Sequence, residues 1–153
     1  MRVALVTGGG SGIGRSAALE LNKIDFTVYV VGRREEELIK TSSLATNNNH
    51  KIIPIKIDIT IGSQVIALFD KIKSDHGRID LLFNNAGMGA PRVPIEDLKE
   101  EDWRKTVDVN LTGSFLCSQQ AIKLMKNQSP QGGRIVNNGS VSAHSPRPDT
   151  IAY

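Results

Sequence analysis

Thr7-Gly8-Gly9-Gly10-Ser11-Gly12-Ile13-Gly14 is the stretch on which the interpretation of this sequence depends. It follows a short apolar run, Val3 to Val6, which is too brief to span a membrane and predicts a buried strand. Glycines allow the chain to turn and leave no Cβ between the backbone and a bulky ligand. A helix that begins at such a turn offers unpaired N–H groups and the positive end of its dipole to a pyrophosphate. The stretch therefore predicts a turn that binds a nucleotide diphosphate.

The spacing of these glycines narrows the choice of ligand. They form Gly-x-x-x-Gly-x-Gly rather than the commoner dinucleotide spacing Gly-x-Gly-x-x-Gly, and no Gly-Lys-Ser/Thr follows, which argues against a P-loop ATPase or GTPase. Taken alone, the turn is equally compatible with an unliganded junction between a strand and a helix. Four apolar residues then recur at helical spacing and predict a helix with one apolar side: Ile13, Ala17, Leu21 and Ile24.

Composition limits the class of protein. A chain of 153 residues with 39% hydrophobic content suits one domain with a core, so we expect one domain over residues 1–153. The net charge is +3, and the sequence contains no cluster of basic residues. We therefore expect neither nucleic acid nor a membrane as a partner. The single cysteine, Cys117, excludes an internal disulfide, and no metal site is expected. Met1 runs straight into the first strand, so we expect no signal peptide and a cytoplasmic location.

Apolar runs alternate with helical patterns along the rest of the chain. Further strands are predicted at 26–31, 51–57, 79–83 and 134–137, with helices between them. This alternation predicts an α/β fold with a parallel sheet.

Two arginines follow the second predicted strand. In dinucleotide-binding folds an acidic residue at this point accepts from the ribose 2′-hydroxyl, whereas an arginine accommodates a 2′-phosphate. Here Gly32 is followed by Arg33 and Arg34, which favours NADP(H) over NAD(H), with Arg33 as the phosphate contact. The alternative is that both arginines only form ion pairs with the acidic residues at 35–37.

Two further strand ends carry candidate ligand-binding residues. Asp58 and Ile59 follow the third strand, where Asp58 either caps the next helix or contacts adenine. Asn84-Asn85-Ala86-Gly87 follows the fourth strand and predicts a second ligand-facing loop, although alone it is also compatible with an ordinary turn.

Together, Thr7-Gly8-x-x-x-Gly12-Ile13-Gly14, Asp58 and Asn84-Asn85-Ala86-Gly87 resemble the short-chain dehydrogenase/reductase family over essentially all 153 residues. The resemblance implies a doubly wound, Rossmann-like sheet of order 3-2-1-4-5 and hydride transfer between a nicotinamide cofactor and a carbonyl or secondary alcohol. The two arginines favour NADP(H) as that cofactor, with NAD(H) less favoured. It implies a homo-oligomer as well. It assigns three groups of cofactor contacts: Gly8, Ser11, Gly12, Ile13 and Gly14 at the pyrophosphate, Asp58 and Ile59 at adenine, and Asn85, Ala86 and Gly87 near the inner ribose.

The resemblance also assigns the catalytic residues. A helix is predicted from Trp103 to about Lys126, with these residues facing inward: Val107, Leu111, Phe115, Ile122 and Met125. Within it, Asn110 matches the family's asparagine that holds a water in the proton relay. Ser140 matches the serine that positions the substrate oxygen, and Tyr153, thirteen residues later, matches the tyrosine that exchanges the proton.

In the family a lysine four residues beyond that tyrosine lowers its pKa, and this position lies past Tyr153. We therefore expect the chain to be the N-terminal part of a longer enzyme, without its C-terminal strands and helices. The alternative is a catalytically incompetent, truncated fragment that at most binds nucleotide or a partner subunit. A methyltransferase-like domain is a third hypothesis, which Ser140 and Tyr153 fit poorly.

Overall fold

The computed structural model describes all 153 residues and contains one five-stranded sheet. Its strands are β1 (Arg2–Thr7), β2 (Phe26–Gly32), β3 (Ile52–Lys56), β4 (Leu81–Asn84) and β5 (Arg134–Asn137). Their order is β3-β2-β1-β4-β5, and every neighbouring pair is parallel. The predicted strand order is therefore confirmed.

Helices lie on both faces of this sheet, although β5 remains mostly exposed. They are α1 (Gly12–Lys23), α2 (Glu35–Ser43), α3 (Gly62–His76), α4 (Glu100–Val107) and α5 (Gly113–Asn127). A π-helical turn, Asp108–Thr112, joins α4 to α5, and short 3₁₀ turns lie at Ile95–Asp97 and Val141–Ala143. No helix combines the length and the apolar character needed to cross a membrane.

The alternation of side chains along β1 divides the core in two. Val3 and Leu5 pack with α3 and α5 on one face, whereas Ala4 and Val6 pack with α1 and α2 on the other. All of these strand residues are fully buried, as expected for a central parallel strand with helices on both sides. The sheet is therefore doubly wound, as predicted.

The helix predicted from Trp103 to Lys126 exists, but its predicted inward face is largely wrong. Leu111, Phe115 and Ile122 are exposed, and Val107 is half-buried. Of the residues predicted to face inward, only Met125 is buried; the helix packs inward through Gly113, Cys117, Ala121, Leu124 and Met125. Small residues form this face because the helix lies close to its neighbours: a Cβ on Gly113 would lie 2.6 Å from Cδ1 of Ile59.

The four apolar residues predicted on one side of α1 are only partly covered. Ile13 and Ile24 are exposed, and Ala17 and Leu21 are half-buried. The buried residues of this helix are Gly14, Ala18 and Asn22. A Cβ on Gly14 would lie 2.5 Å from Nδ2 of Asn85, so only glycine permits this approach to the loop after β4.

Candidate functional site

The glycine turn between β1 and α1 lies at the carboxyl edge of the sheet. Gly8 has φ of 65°, in the left-handed region that favours glycine, and its N–H donates to Val31 O at 2.8 Å. In the first hydrogen bond of α1, the N–H of Arg15 donates to Ser11 O at 3.2 Å. The N–H groups of residues 12–14 therefore have no acceptor within the helix, and no acidic residue lies in its first turn. This arrangement suits an anion.

The loop after β4 is fixed to the glycine turn by hydrogen bonds. The N–H groups of Asn85 and Ala86 both donate to Thr7 Oγ1 at 3.0 Å, and Asn85 Nδ2 donates to Thr7 O at 3.0 Å. A Cβ on Gly8 would lie 3.0 Å from Cα of Ala86. The ends of β1 and β4 therefore form one rigid surface.

A cleft of ≈ 300 Å³ opens at this edge. Most of the predicted cofactor residues line it: Gly8, Ser11, Arg33, Asp58, Ile59, Asn85, Ala86 and Gly87. Gly12, Ile13 and Gly14 do not line the cleft and lie instead at the start of α1. The remaining lining residues are Gly10, Val31, Gly32, Arg34, Leu38, Ile57, Met88 and Val109.

The cleft carries positive charge at the end of β2. Neither Arg33 nor Arg34 forms an ion pair, although Arg34 donates to Ser11 Oγ at 2.9 Å. Two of the three acidic residues that follow have other partners, since Glu35 pairs with Lys56 and Glu37 with Arg15. The structure therefore contains no ion pair between either arginine and residues 35–37.

Asp58 stabilises its own turn rather than capping α3. Its Oδ1 accepts from the N–H of Thr60 at 3.0 Å and from Thr60 Oγ1 at 2.8 Å. The N-cap of α3 is Ile61, without a side-chain cap. Oδ2 of Asp58 has no hydrogen-bond partner in the protein, so it is available to a donor in the cleft.

A second cavity, of ≈ 550 Å³, adjoins the cleft. The two share Asn85, Ala86 and Gly87. All three predicted catalytic residues line the second cavity: Asn110, Ser140 and Tyr153. The structure therefore brings together three residues that are far apart in the sequence, beside the cleft that holds the predicted cofactor residues.

Asn110 lies in the π-helical turn, a feature frequent at functional sites. Its Oδ1 accepts from the N–H of Met88 at 2.8 Å, and its Nδ2 donates to Met88 O at 2.9 Å. The amide thus fixes the backbone that leaves the Asn85–Gly87 loop.

Ser140 and Tyr153 differ in how firmly they are held. Ser140 Oγ accepts from the N–H of Ser142 at 3.1 Å, which leaves its proton free to be donated. Tyr153 is half-exposed, and its hydroxyl forms no hydrogen bond within the chain. No charged residue lines this cavity.

The site residues assigned from the sequence do not include a polar cluster along the same cavity. Asn84 Nδ2 donates to Asn137 Oδ1 and to Ser118 Oγ, both at 2.9 Å, and so connects β4 to β5 and α5. The Asn84 side chain is buried, and its Oδ1 has no partner. Its place immediately before Asn85 and the matching asparagine in β5 are the only signals that the sequence offered.

Comparison with known proteins identifies the family. The profile of the family described as short chain dehydrogenase matches residues 2–153. The chain belongs to the short-chain dehydrogenase family.

Relatives in this family include a 3beta-hydroxysteroid dehydrogenase of Mediterraneibacter gnavus, 36% identical over 99% of this chain and 54% of the relative. Another, dehydrogenase/reductase SDR family member 11 of Gallus gallus, is 31% identical over 99% of this chain and 60% of its own. The chain therefore spans little more than half the length of these curated relatives.

Solved structures of short-chain dehydrogenases share the fold. NAD⁺-bound xylitol dehydrogenase superimposes with a TM-score of 0.92 at 30% identity, over 99% of this chain and 58% of that one. A metagenomic short-chain oxidoreductase in complex with NADP gives 0.92 at 28% identity, over 99% and 68%. Both nicotinamide cofactors therefore occur among similar structures.

Proposed function

We propose that this chain binds NADP(H) and takes part in hydride transfer between that cofactor and a carbonyl or secondary alcohol. One observation carries the proposal. The cleft lined by the glycine turn and the arginines meets, at Asn85–Gly87, the cavity lined by Ser140 and Tyr153. A cofactor bound along the cleft can thus reach the groups that would handle the substrate oxygen.

The residues present fit a dinucleotide. The turn has no side chain at Gly8 or Gly10, and the amides at residues 12–14 lack helical acceptors, which suits a pyrophosphate. The free Oδ2 of Asp58 suits the amino group of adenine, beside Ile59. Asn85, Ala86 and Gly87 would bind the inner ribose region.

The preference for NADP(H) rests on the end of β2. Gly32 stands where an acidic residue would accept from a 2′-hydroxyl, and Arg33 lines the cleft without a carboxylate partner. A 2′-phosphate would supply the missing anion. Because similar structures bind either cofactor, these residues and not the family support the choice.

Nicotinamide, when bound, supplies or accepts the hydride, and the protein must handle the proton. Ser140 would donate to the substrate oxygen, since its Oγ lone pair already accepts from the Ser142 amide. Tyr153 would exchange the proton with the same oxygen. Asn110 would hold a water of the proton relay while it fixes Met88.

A second candidate function is nucleotide binding without turnover. It requires only the cofactor cleft and no proton transfer at Tyr153. A phenol acts as a base near neutral pH only when a neighbouring positive charge lowers its pKa.

We also propose that the protein forms a homo-oligomer through α5. Leu111, Phe115 and Ile122 are all exposed and lie at helical spacing. Exposed apolar side chains along one side of a helical segment are typical of a protein–protein contact.

The cofactor proposal is tested by titrating NADPH and NADH while their fluorescence is followed. We expect the chain to bind NADPH more tightly than NADH. Arg33→Ala should lower the affinity for NADPH by about tenfold, as for loss of a charge-assisted contact, and should leave the affinity for NADH unchanged. Arg147→Ala, at an exposed arginine outside the cleft, is the matched control. Equal effects on both cofactors would contradict the role of Arg33.

The two candidate functions are separated by assaying carbonyl reduction. The chain is compared with one extended past Tyr153 that carries lysine at the fourth added position. Turnover by both supports the enzyme proposal for these 153 residues. Turnover by the longer chain alone, with NADPH binding in both, supports the binding function for this part.

A further inference from the structure

Two carbonyl groups of the glycine turn accept hydrogen bonds from side chains that do not line the cleft. Thr41 Oγ1, fully buried on α2, lies 2.9 Å from Gly9 O. The guanidinium of Arg15, on α1, donates to Gly10 O. Neither Thr41 nor Arg15 is among the residues that line the cleft. Both carbonyls therefore point toward the side of the turn where α2 packs.

The two side chains also fix each other. Arg15 Nε donates to Thr41 Oγ1 at 3.0 Å, so the threonine must direct its single proton to another acceptor. Glu37 O lies 3.0 Å from Thr41 Oγ1, but it is also the acceptor of the helical hydrogen bond from the Thr41 N–H. Gly9 O has no such bond, so it is the better acceptor for the hydroxyl. Arg15 is fixed further by Glu37 Oε2 at 2.6 Å.

Planarity of the peptide group gives this arrangement a consequence in the cleft. In a trans peptide the carbonyl and the following N–H point in opposite directions. When Gly9 O and Gly10 O face α2, the N–H groups of Gly10 and Ser11 face away from it. Gly10 and Ser11 both line the cleft. Anions bind to N–H groups and are repelled by carbonyl oxygens, so the orientation of these two peptides decides whether the turn accepts a pyrophosphate.

We propose that Arg15 and Thr41 are positioning residues of the cofactor turn, which hold the Gly9 and Gly10 carbonyls away from the pyrophosphate. This inference rests on the proposed function, because it assumes that a dinucleotide occupies the cleft. It adds two residues that contact no ligand and act only through the backbone of the turn.

The test compares a probe that contains a pyrophosphate with one that lacks it. NADPH and adenosine 2′-monophosphate are titrated against the wild-type chain, Thr41→Val and Thr41→Ser. We expect Thr41→Val to lower the affinity for NADPH by about tenfold, as for the loss of one hydrogen bond, and to leave the affinity for adenosine 2′-monophosphate unchanged. Thr41→Ser, which keeps the hydroxyl, should restore NADPH binding.

Ser42→Ala is the matched control, since Ser42 is the next residue of α2 and its hydroxyl donates to the carbonyl of Ile52 at 2.6 Å. It removes the same kind of bond at another place and should leave the ratio of the two affinities unchanged. If Thr41→Val does not fold, Arg15→Met supplies the same comparison, because the Arg15 side chain is only partly buried.

Loss of affinity for both probes in equal measure, or for neither, would overturn the positioning role while the proposed function stands. Binding of NADH in place of NADPH would overturn only the proposed cofactor, and the same variants would then be titrated with NADH and adenosine. Failure of the wild-type chain to bind either dinucleotide would overturn both proposals.

Discussion

Asp80 joins three strands at the amino edge of the sheet, opposite the cleft. Its Oδ2 accepts from the N–H of Val3 at 2.8 Å, its carbonyl accepts from the N–H of Arg134 at 2.9 Å, and Arg78 pairs with its carboxylate at 2.6 Å. Burial raises the pKa of this carboxyl, but the hydrogen bonds from Arg78 and the Val3 amide outweigh burial, so the pKa is lowered overall.

This lowered pKa has a defined effect on stability. A carboxyl whose folded pKa lies below its unfolded value of about 4 stabilises the fold above that pH, and the contribution is lost as the pH falls through the folded pKa. Asp80→Asn should therefore lower the free energy of unfolding by about 2 kcal/mol at pH 7, the size of a hydrogen bond to a charged group. Urea unfolding at pH 7 and below pH 3 measures this, and the difference from wild type should shrink in acid. Asp97→Asn, at an exposed position, is the control; an equal deficit at both pH values would refute the argument.

Packing around Gly14 leaves no space for a side chain. An added Cβ would meet Gly8 O and would lie 2.5 Å from Asn85 Nδ2. We expect Gly14→Ala to lower the free energy of unfolding by about 3 kcal/mol or more, because backbone must shift to accept the methyl group. Gly77→Ala provides the comparison, since Gly77 has φ of 68° and open space around it, and should cost only about 1 kcal/mol. Equal losses in thermal or urea unfolding would contradict the packing argument.

At the scale of elements, the π-helical turn between α4 and α5 controls the loop that follows β4. Replacing Asn110 with Ala removes both of its hydrogen bonds to Met88. We expect hydrogen exchange of the Met88 amide to accelerate by about tenfold or more, because two hydrogen bonds are lost and each is worth about 1 kcal/mol. Asn127→Ala, which removes a bond to Lys123 O on an exposed helix end, should leave that amide unchanged. Unaltered exchange in Asn110→Ala would show that the loop is held by other contacts.

The elements differ in how far the sequence could predict them. The segments 3–6 and 26–31 are almost entirely apolar and rich in valine, which is typical of buried strands with helices on both faces, so the strands and their class followed from pattern. The buried side of α5 did not follow, because its small residues Gly113, Cys117 and Ala121 give a weak periodic signal. Close packing selects small residues, while Leu111 and Phe115 remain outside.

The candidate site shows the same division. The glycine turn, Asp58 and the 84–87 loop are local motifs, so each could be recognised from adjacent residues. The contacts of Thr41 with Gly9 and of Arg15 with Glu37 join residues 32 and 22 positions apart. No local periodicity encodes such contacts, because they arise only when α2 packs beside the turn.

At the scale of the whole molecule, the exposed apolar stripe on α5 should govern self-association. We expect the chain to associate at micromolar concentrations and Phe115→Glu to shift it toward monomer, because a charge cannot be buried without a partner. Sedimentation velocity measures this shift. Ile39→Glu, at an apolar residue of similar exposure on α2, is the control and should leave the distribution unchanged. The same shift in both variants would indicate a general effect of charge rather than a defined interface.

The central claim is that a dinucleotide binds along the carboxyl edge of the sheet, between the glycine turn and the 84–87 loop. The most direct measurement is a backbone amide NMR titration of the chain with NADPH. We predict that the largest shift changes fall on residues 8–14, 33–34, 58–59 and 85–87, with smaller changes near Ser140. Saturation that leaves those amides unmoved while others shift, or no shift at millimolar NADPH or NADH, would contradict the account.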